Sequence, residues 1–227
     1  MMSALSAITA RRPLGMSKRR LGAAIAISVV LVALDRPLYH ALETPSVEDA
    51  DWYHALRALG YLPLWIVAAA LFYISDRSAA RSTAIQIARR RPAHHRAGLV
   101  LLSPILAGLG SELAKLVCRR LRPEFGDGIY RFRAPWVEPL STSGLGLPSG
   151  HTTVAFAGLA MVGFLMPALR TPLLCLAAGC GLTRMFAGAH YATDVWTGAL
   201  LGFAVSFALH RAAHGPRRGP GGGLVPG

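Results

Sequence analysis

Three short clusters in the sequence combine basic residues, histidine and carboxylate at spacings that suit the handling of an anion. The first is Lys115, followed after six residues by Arg122-Pro123. A spacing of seven puts both cations on one face of a helix, two turns apart, and Pro123 should end that helix because the residue before a proline is pushed out of the α region. The plain alternative is two long basic side chains snorkelling toward a membrane interface. The second cluster is Pro148-Ser149-Gly150-His151-Thr152-Thr153. A Pro-Ser-Gly turn feeding a helix exposes backbone N–H groups at the positive end of the helix dipole, and glycine lets an anion approach closely. Its alternative is an ordinary helix cap by Ser149 or Thr152. The third cluster runs from Arg184 through His190 to Asp194. Asp194 follows His190 by four residues, so the two share a helix face if a helix starts near Tyr191. The carboxylate could then accept a hydrogen bond from the imidazole, fixing its tautomer and stabilising its cationic form. Here the alternative is a cap by Asp194 beside an interfacial His190.

The elements that must carry these clusters are apolar. The chain has 227 residues, 53% of them hydrophobic and only 15% charged, and its mean hydropathy is +0.42. That excludes a disordered chain and argues against an ordinary soluble domain. A net charge of +13, from 24 Lys+Arg against 11 Asp+Glu, points on so hydrophobic a chain to a membrane protein with cationic loops rather than to a nucleic-acid binder. Six stretches approach the length needed to cross a bilayer: Leu21–Leu38, Leu59–Ser75, Ala97–Val117, His151–Ala168, Pro172–Ala187 and Thr193–His210. They are continuous rather than alternating, which excludes an all-β fold. The expectation is an all-α, polytopic fold with about six transmembrane helices. Lys18, Arg19 and Arg20 before the first stretch resemble a secretory signal, but no small-x-small cleavage site follows, so this stretch is expected to stay as a span.

Lys/Arg asymmetry orients the spans. The N-terminus, the loop from Arg77 to Arg96 and the C-terminal tail are basic, whereas the loop holding Glu43, Glu48, Asp49 and Asp51 is acidic. Six crossings with both termini in the cytoplasm satisfy this pattern. The expected organisation is a basic cytoplasmic N-terminus over 1–20, a six-helix membrane domain over 21–210 and a disordered, Gly/Pro-rich cytoplasmic tail over 211–227. One segment departs from it: the loop from Cys118 to Gly150 should lie outside, yet holds Arg119, Arg120, Arg122, Arg131 and Arg133. Something must require cations there. With this topology all three clusters fall at the outer helix ends. Lys115, Arg122, Arg184, Ser149, His151, His190 and Asp194 can then converge on one face, where the mutual repulsion of the cations is relieved by a polyanionic group such as phosphate.

Taken together, Lys115-x6-Arg122-Pro123, Pro148-Ser149-Gly150-His151 and Arg184-x5-His190-x3-Asp194 resemble the three-part pattern of the type 2 phosphatidic acid phosphatase family, complete at each motif position and in the right order. Vanadium haloperoxidases share the pattern on soluble helical bodies, so the apolar spans favour the phosphatases. The resemblance implies an integral membrane lipid phosphatase of a bacterial inner membrane, with its site facing the periplasm. It would act on a phosphomonoester or diphosphate such as phosphatidylglycerophosphate, phosphatidate, undecaprenyl diphosphate or lipid A. His190 would attack phosphorus and form a phosphohistidine, Asp194 would orient His190, and His151 would protonate the leaving oxygen and then activate water. Lys115, Arg122, Ser149, Gly150 and Arg184 would hold the phosphate, with no metal and no cofactor. The expected partners are the phosphorylated lipid and the bilayer, with no nucleic acid and no protein. A lipid phosphotransferase using the same phosphohistidine, or a non-catalytic anionic-lipid binder or transporter, would carry the same motifs.

Other residues are expected to stay outside the chemistry. Arg119 and Arg120 should point off the motif face, toward solvent or head groups. Arg131 and Arg133 are weaker candidates for a second phosphate or a glycan. His40, His54, His94, His95, His210 and His214 lack partners at useful spacing. Trp52, Trp65, Trp136 and Trp196 suit packing or interfacial anchoring. Cys118, Cys175 and Cys180 form no disulfide or zinc pattern and read as buried packing residues.

Overall fold

The computed structural model describes residues 18–82, 93–214, 217–218 and 224–225. The described residues form seven α-helices: α1 (Lys18–Leu42), α2 (Asp51–Ala58), α3 (Leu62–Ser82), α4 (Ala93–Cys118), α5 (Gly150–Leu165), α6 (Arg170–Phe186) and α7 (Ala192–His214). Each of the six apolar stretches is helical, as α1, α3, α4, α5, α6 and α7. The short α2 is an addition that the acidic loop hid. Single 3₁₀ turns at Pro45–Asp49, Pro123–Phe125 and Pro167–Leu169 each begin at a proline, whose fixed φ suits the first position of a turn. The only strands among the described residues are the two-residue Arg217–Arg218 and Leu224–Val225, paired antiparallel. The expected basic N-terminus lies outside the described residues up to residue 17, as does most of the tail after His214.

Among the described residues, three helices are long and apolar enough to cross a membrane: Leu21–Leu42, His95–Cys118 and Ala192–His214. A fourth span results if α2 and α3, bent by 65° at their junction, count as one. At 16 and 17 residues, α5 and α6 are shorter than the roughly 20 that a straight crossing takes. Helix α5 is the centre of the bundle, packed against α4, α6 and α7, with ten of its residues buried. The outer faces of α1, α3 and α4 are apolar and exposed, for example Val29 at 66% and Leu113 at 65%. Such a surface suits hydrocarbon, not water.

In hydrocarbon, helices associate through close packing and interhelical hydrogen bonds rather than through water exclusion. Both are present. Gly198 and Gly202, four apart on α7, lie against α5, and a Cβ at Gly202 would collide with the Thr153 carbonyl oxygen. Trp65 of α3 fills the space that Gly158 leaves on α5, where a Cβ would run into the indole. Ser103 of α4 donates to the Ala157 carbonyl at 3.0 Å, and Ser206 of α7 donates to the same oxygen at 2.8 Å. Three helices are thus tied through one carbonyl. Trp196 Nε1 donates to Ser28 Oγ at 3.1 Å and fastens α1 to α7.

At the helix ends remote from the three motif clusters, Asp76 and Arg96 pair at 2.8 Å between α3 and α4. There the structure corrects the reading of isolated histidines: the His210 and His214 rings stack at 4.2 Å, and the His95 ring lies edge-on to His214 at 5.4 Å. The cysteines are corrected too, since Cys118 and Cys175 are exposed on outer faces and only Cys180 is buried.

The backbone contact at Gly202 cannot relax by rotating a side chain, so overpacking should push α5 and α7 apart. Gly202→Val is expected to lower the thermal unfolding midpoint in detergent by roughly 5 °C or more, while Leu113→Ala on the exposed face shifts it by about 2 °C or less. Differential scanning fluorimetry of the two variants beside the wild type checks this.

Candidate active site

The three clusters lie where the helix ends meet. The end of α1 is tied to the end of α6, with Thr44 N donating to the Phe186 carbonyl at 2.8 Å. The turn into α5 is tied to the start of α7, with Ser149 N donating to the Asp194 carbonyl at 2.9 Å. The turn between α2 and α3 sits on α5 so closely that a Cβ at Gly60 would lie 2.7 Å from His151 Cβ. These ends surround a cavity of about 440 Å³, within the range of small-ligand sites. Its polar lining is Glu112, Lys115, Arg122, Gly150, His151 and His190. Its apolar lining includes Leu62, Ile105, Leu109 and Val154 from α3, α4 and α5.

Lys115 and Arg122 both reach the cavity, but not from one continuous helix. Helix α4 ends at Cys118, because Arg119 adopts a left-handed conformation with φ 50°. Its N–H still bonds back to the Lys115 carbonyl at 2.8 Å, a left-handed helix ending of the kind that normally uses glycine. The chain then runs extended, bridging Arg120 to Phe132 and Leu121 to Leu145. Arg122 caps the short 3₁₀ turn at Pro123. The non-glycine residue Arg119 is held in its turn by its guanidinium, which donates to the carbonyls of Arg133, Ala134, Val137 and Pro139. Arg119, expected in solvent or among head groups, is therefore the buried hub of the 119–149 loop. Arg133, weighed as a ligand for a second phosphate, also serves this loop: it bonds the Ser141 carbonyl at 3.2 Å and Glu138 at 3.0 Å.

The second cluster forms the turn and first residues of α5. Ser149 occupies the cap position with extended backbone, but its side chain makes no capping bond. Its hydroxyl is fully buried and accepts from Thr152 Oγ1 at 3.1 Å, so Ser149 lies behind the cavity wall. Gly150 forms that wall, and the Lys115 ammonium lies 3.4 Å from where a Cβ would stand. His151 Nε2 is buried in the wall with no hydrogen-bond partner among the described residues. The Tyr61 ring packs edge-on to His151 at 4.8 Å.

The third cluster opens α7, which starts at Ala192. His190 Nδ1 faces Asp194 Oδ2 at 3.3 Å. Since His190 lines the cavity, this leaves Nε2 as the nitrogen available to a ligand there. Burial holds the His190 imidazole below the ordinary histidine value of 6.5; Asp194 opposes that shift, and Arg122 and Arg184 reinforce it. At neutral pH the ring is therefore uncharged and carries a free lone pair. Arg184 does not line the cavity. It is buried behind it, with Nη1 donating to Tyr53 Oη at 2.9 Å, and Tyr53 in turn donates to Glu48 at 2.9 Å.

Two groups at the site were not legible in the motifs. Glu112 lines the cavity and accepts from Lys115 Nζ at 2.6 Å. It lies three residues before Lys115, so an i,i+3 pairing rule could have found it. Arg120, expected to point away, is 5% exposed and donates through Nη2 to Asp194 Oδ1 at 2.5 Å. Its contact crosses 74 positions in sequence and left no local signal. Among the described residues no group of three or more His, Cys, Asp or Glu is placed to hold a metal ion. Of the tryptophans, Trp65 and Trp196 pack inside the bundle, Trp52 packs edge-on to Phe186 at 6.3 Å, and Trp136 is exposed on the loop.

A family model described as "PAP2 superfamily" matches residues 96–218, more than half of the chain. A lipid A 1-phosphatase from Rhizobium johnstonii is 36% identical over 107 residues, covering 46% of this chain and 42% of that protein. A Schizosaccharomyces pombe protein named "Probable diacylglycerol pyrophosphate phosphatase 1" is 29% identical over 147 residues, covering 52% and 53%. The chain thus spans about half the length of the curated relatives it matches. The crystal structure of a transmembrane PAP2-type phosphatidylglycerolphosphate phosphatase from Bacillus subtilis superposes with a TM-score of 0.59 at 21% identity, covering 86% of this chain and 96% of that one. That likeness covers more of the chain than the family match does. The motifs, the fold and the family match agree: the chain is a multi-pass membrane protein belonging to the PAP2 superfamily.

Proposed function

We propose that the protein hydrolyses the phosphate ester or diphosphate of a membrane lipid through a phosphohistidine on His190. The observation that carries this reading is the pairing of His190 with Asp194 at the wall of a cavity that Lys115, Arg122 and the unpartnered His151 Nε2 also line. A neutral imidazole held by one nitrogen presents the other as a nucleophile. In the first step His190 Nε2 attacks phosphorus, the P–N bond forms, and the P–O bond to the lipid breaks. The electron pair leaves with the lipid oxygen, which takes the Nε2 proton of a protonated His151; that proton is regained from water in the second step. In the second step His151 Nε2 accepts a proton from water as the water oxygen attacks phosphorus. The P–N bond breaks, and phosphate leaves with neutral His190 restored. Lys115, Arg122 and the Gly150 N–H hold the phosphate oxygens, where positioning and electrostatics supply most of the catalysis in phosphoryl transfer. Ser149 and Arg184 act from behind the wall, Ser149 through the turn that aims the α5 N-terminus and Arg184 as a buried cation. The apolar lining accommodates the part of a lipid next to its phosphate. The cations supply the charge neutralisation, so the proposed reaction needs no metal.

The relatives named for lipid A, diacylglycerol pyrophosphate and phosphatidylglycerolphosphate phosphatases support a lipid substrate class without choosing among its members. With six crossings, the site lies at the face away from the basic loops, which in a bacterial inner membrane is the periplasmic face. The short α5 then crosses the bilayer enclosed by α4, α6 and α7, while α6 turns an apolar face with Leu176 and Leu182 outward.

Purified protein in EDTA, offered phosphatidylglycerophosphate, phosphatidate, undecaprenyl diphosphate and lipid A, should release inorganic phosphate from at least one of them. Hydrolysis only after adding a divalent metal would contradict the metal-free chemistry, and release only when a lipid hydroxyl acceptor is supplied would assign a phosphotransferase. His190→Ala should lower the rate by at least about 10³-fold and abolish any acid-labile phosphoenzyme. Phosphate release that survives this change would leave an anion-binding role instead. Tyr53→Phe removes a hydroxyl that holds Arg184 and should lower kcat/KM by roughly 5- to 30-fold, the equivalent of about 1–2 kcal/mol, with little change in the unfolding midpoint.

A further inference from the structure

Behind His190 lies a second buried charge cluster that the phosphate chemistry does not itself use. Asp194 is fully buried, and both of its oxygens are engaged. Oδ2 accepts from His190 Nδ1 at 3.3 Å and from Tyr191 N at 3.0 Å, while Oδ1 accepts from Arg120 Nη2 at 2.5 Å. Arg120 also donates to Thr193 Oγ1 at 2.6 Å. Its guanidinium is clasped between two aromatic rings, 4.9 Å from the Tyr130 centroid and 5.1 Å from the Tyr191 centroid. On its far side stands Asp35 of α1, 3.8 Å from Nη1 and with no exposed surface. Asp35 accepts from Thr193 N at 2.9 Å, from the Thr193 hydroxyl, and from Tyr130 Oη at 2.6 Å. Burial and that bond to Asp35 push the Tyr130 hydroxyl up to about 12, which keeps it a donor.

A buried carboxylate is costly in a bilayer helix. Asp35 carries that cost near the end of α1, and its carboxylate is aimed at the start of α7. The two carboxylates and one guanidinium leave one net negative charge behind a neutral His190. When the ring becomes cationic, as it does while attacking phosphorus, the cluster reaches balance. We propose that Asp35 and Arg120 are positioning residues for the catalytic pair, which act through Asp194 to set how strongly His190 is drawn toward its cationic form and thereby make α1 part of the active site. Helix α1 lies outside the region matched by the family model.

The inference rests on His190 being the nucleophile. The charged groups around that ring are Asp194 from α7, Lys115 and Glu112 from α4, Arg122 from the loop, His151 from α5 and Arg184 from α6, with Arg57 of α2 acting on His151. None of them changes in the variants below. Removing the Arg120 cation favours the imidazolium, so Arg120→Gln should move the acid limb of kcat/KM up by roughly one pH unit. Removing the Asp35 charge disfavours the imidazolium, so Asp35→Asn should move the limb down by a smaller amount while lowering kcat. Arg120→Lys keeps the charge and should restore the wild-type limb.

The measurement is kcat/KM against pH for wild type and the three variants, in detergent micelles of dioleoyl phosphatidate or whichever lipid of the panel above the wild type turns over. Because the substrate is shared, its own ionisation cancels in the comparison. Limbs shifted in opposite directions by Arg120→Gln and Asp35→Asn establish the coupling; coincident limbs, or limbs shifted the same way, overturn it. If Arg120→Gln does not fold, an unmoved limb in Asp35→Asn overturns it alone. His190→Ala is assayed alongside: activity there sinks the nucleophile assignment, whereas an inactive His190→Ala with unmoved limbs in the others sinks only the role of Asp35 and Arg120.

Discussion

The ion pair between Arg120 and Asp194, at 2.5 Å and out of reach of solvent, is the constraint around which the site is organised. A carboxylate buried without a cation is expelled or protonated, and protonated it could not orient an imidazole as an acceptor. The guanidinium that holds it must itself be desolvated, and arginine meets that demand with planar faces that stack on Tyr130 and Tyr191. One residue therefore fixes the loop, the start of α7 and the end of α1 relative to one another. The cation-rich loop that broke the charge asymmetry of the sequence is explained by the same fact. Of its arginines, Arg119 binds loop carbonyls, Arg120 binds the Asp194 carboxylate, and only Arg122 faces the cavity.

Holding side chains at this precision needs helices that do not slide. In a bilayer the hydrophobic effect does not hold helix against helix, so the bundle relies on close contact. Gly198, Gly202 and Gly158 remove the side chains that would separate α5 from α7 and α3, and Ser103 and Ser206 share the Ala157 carbonyl. One of these approaches sits at the start of α5, where Gly198 faces the Ser149 carbonyl, with a Cβ there 2.7 Å away. Packing and site geometry are thus one problem: the α5 turn that bears Gly150 and His151 is seated on the α7 turn that bears Asp194.

Much of this was legible in the sequence because the relevant signals were local. The six apolar runs marked six helices, and the i,i+4 spacing of His190 and Asp194 gave their contact. The motif residues Lys115, Arg122, Gly150, His151 and His190 do line one cavity. What was lost depended on tertiary context. A spacing of seven suggested that Lys115 and Arg122 shared a helix, yet four loop carbonyls stabilise Arg119 in a left-handed turn that ends α4 early. Helical periodicity put Arg120 on the wrong face for the same reason, since beyond Cys118 there is no helix to define a face. Asp35 lies inside the first apolar stretch, and nothing within α1 announces a partner 158 positions away. Ser149 and Arg184 belong to matched motifs but stand one layer behind the wall, a depth that spacing does not encode.

The wall itself is less basic than the motifs suggest, and this bears on turnover. Lys115 is paired with Glu112 at 2.6 Å, and Arg122 lies 3.9 Å from Glu124. Under the proposed function, a phosphate entering the cavity exchanges these contacts rather than adding to bare cations, so part of its binding energy goes into breaking them. For the ground state that is a loss. For catalysis it is useful, because interactions that become strongest only as charge builds on the phosphoryl oxygens raise kcat, whereas uniform tight binding does not. The exchange also limits how long the product can stay. Inorganic phosphate carries the same oxygens without the lipid that the apolar lining would hold, and Glu112 competes with it for Lys115. A site built from unpaired cations alone would grip its product; one whose cations have carboxylate partners on their own helices and turns can let it go.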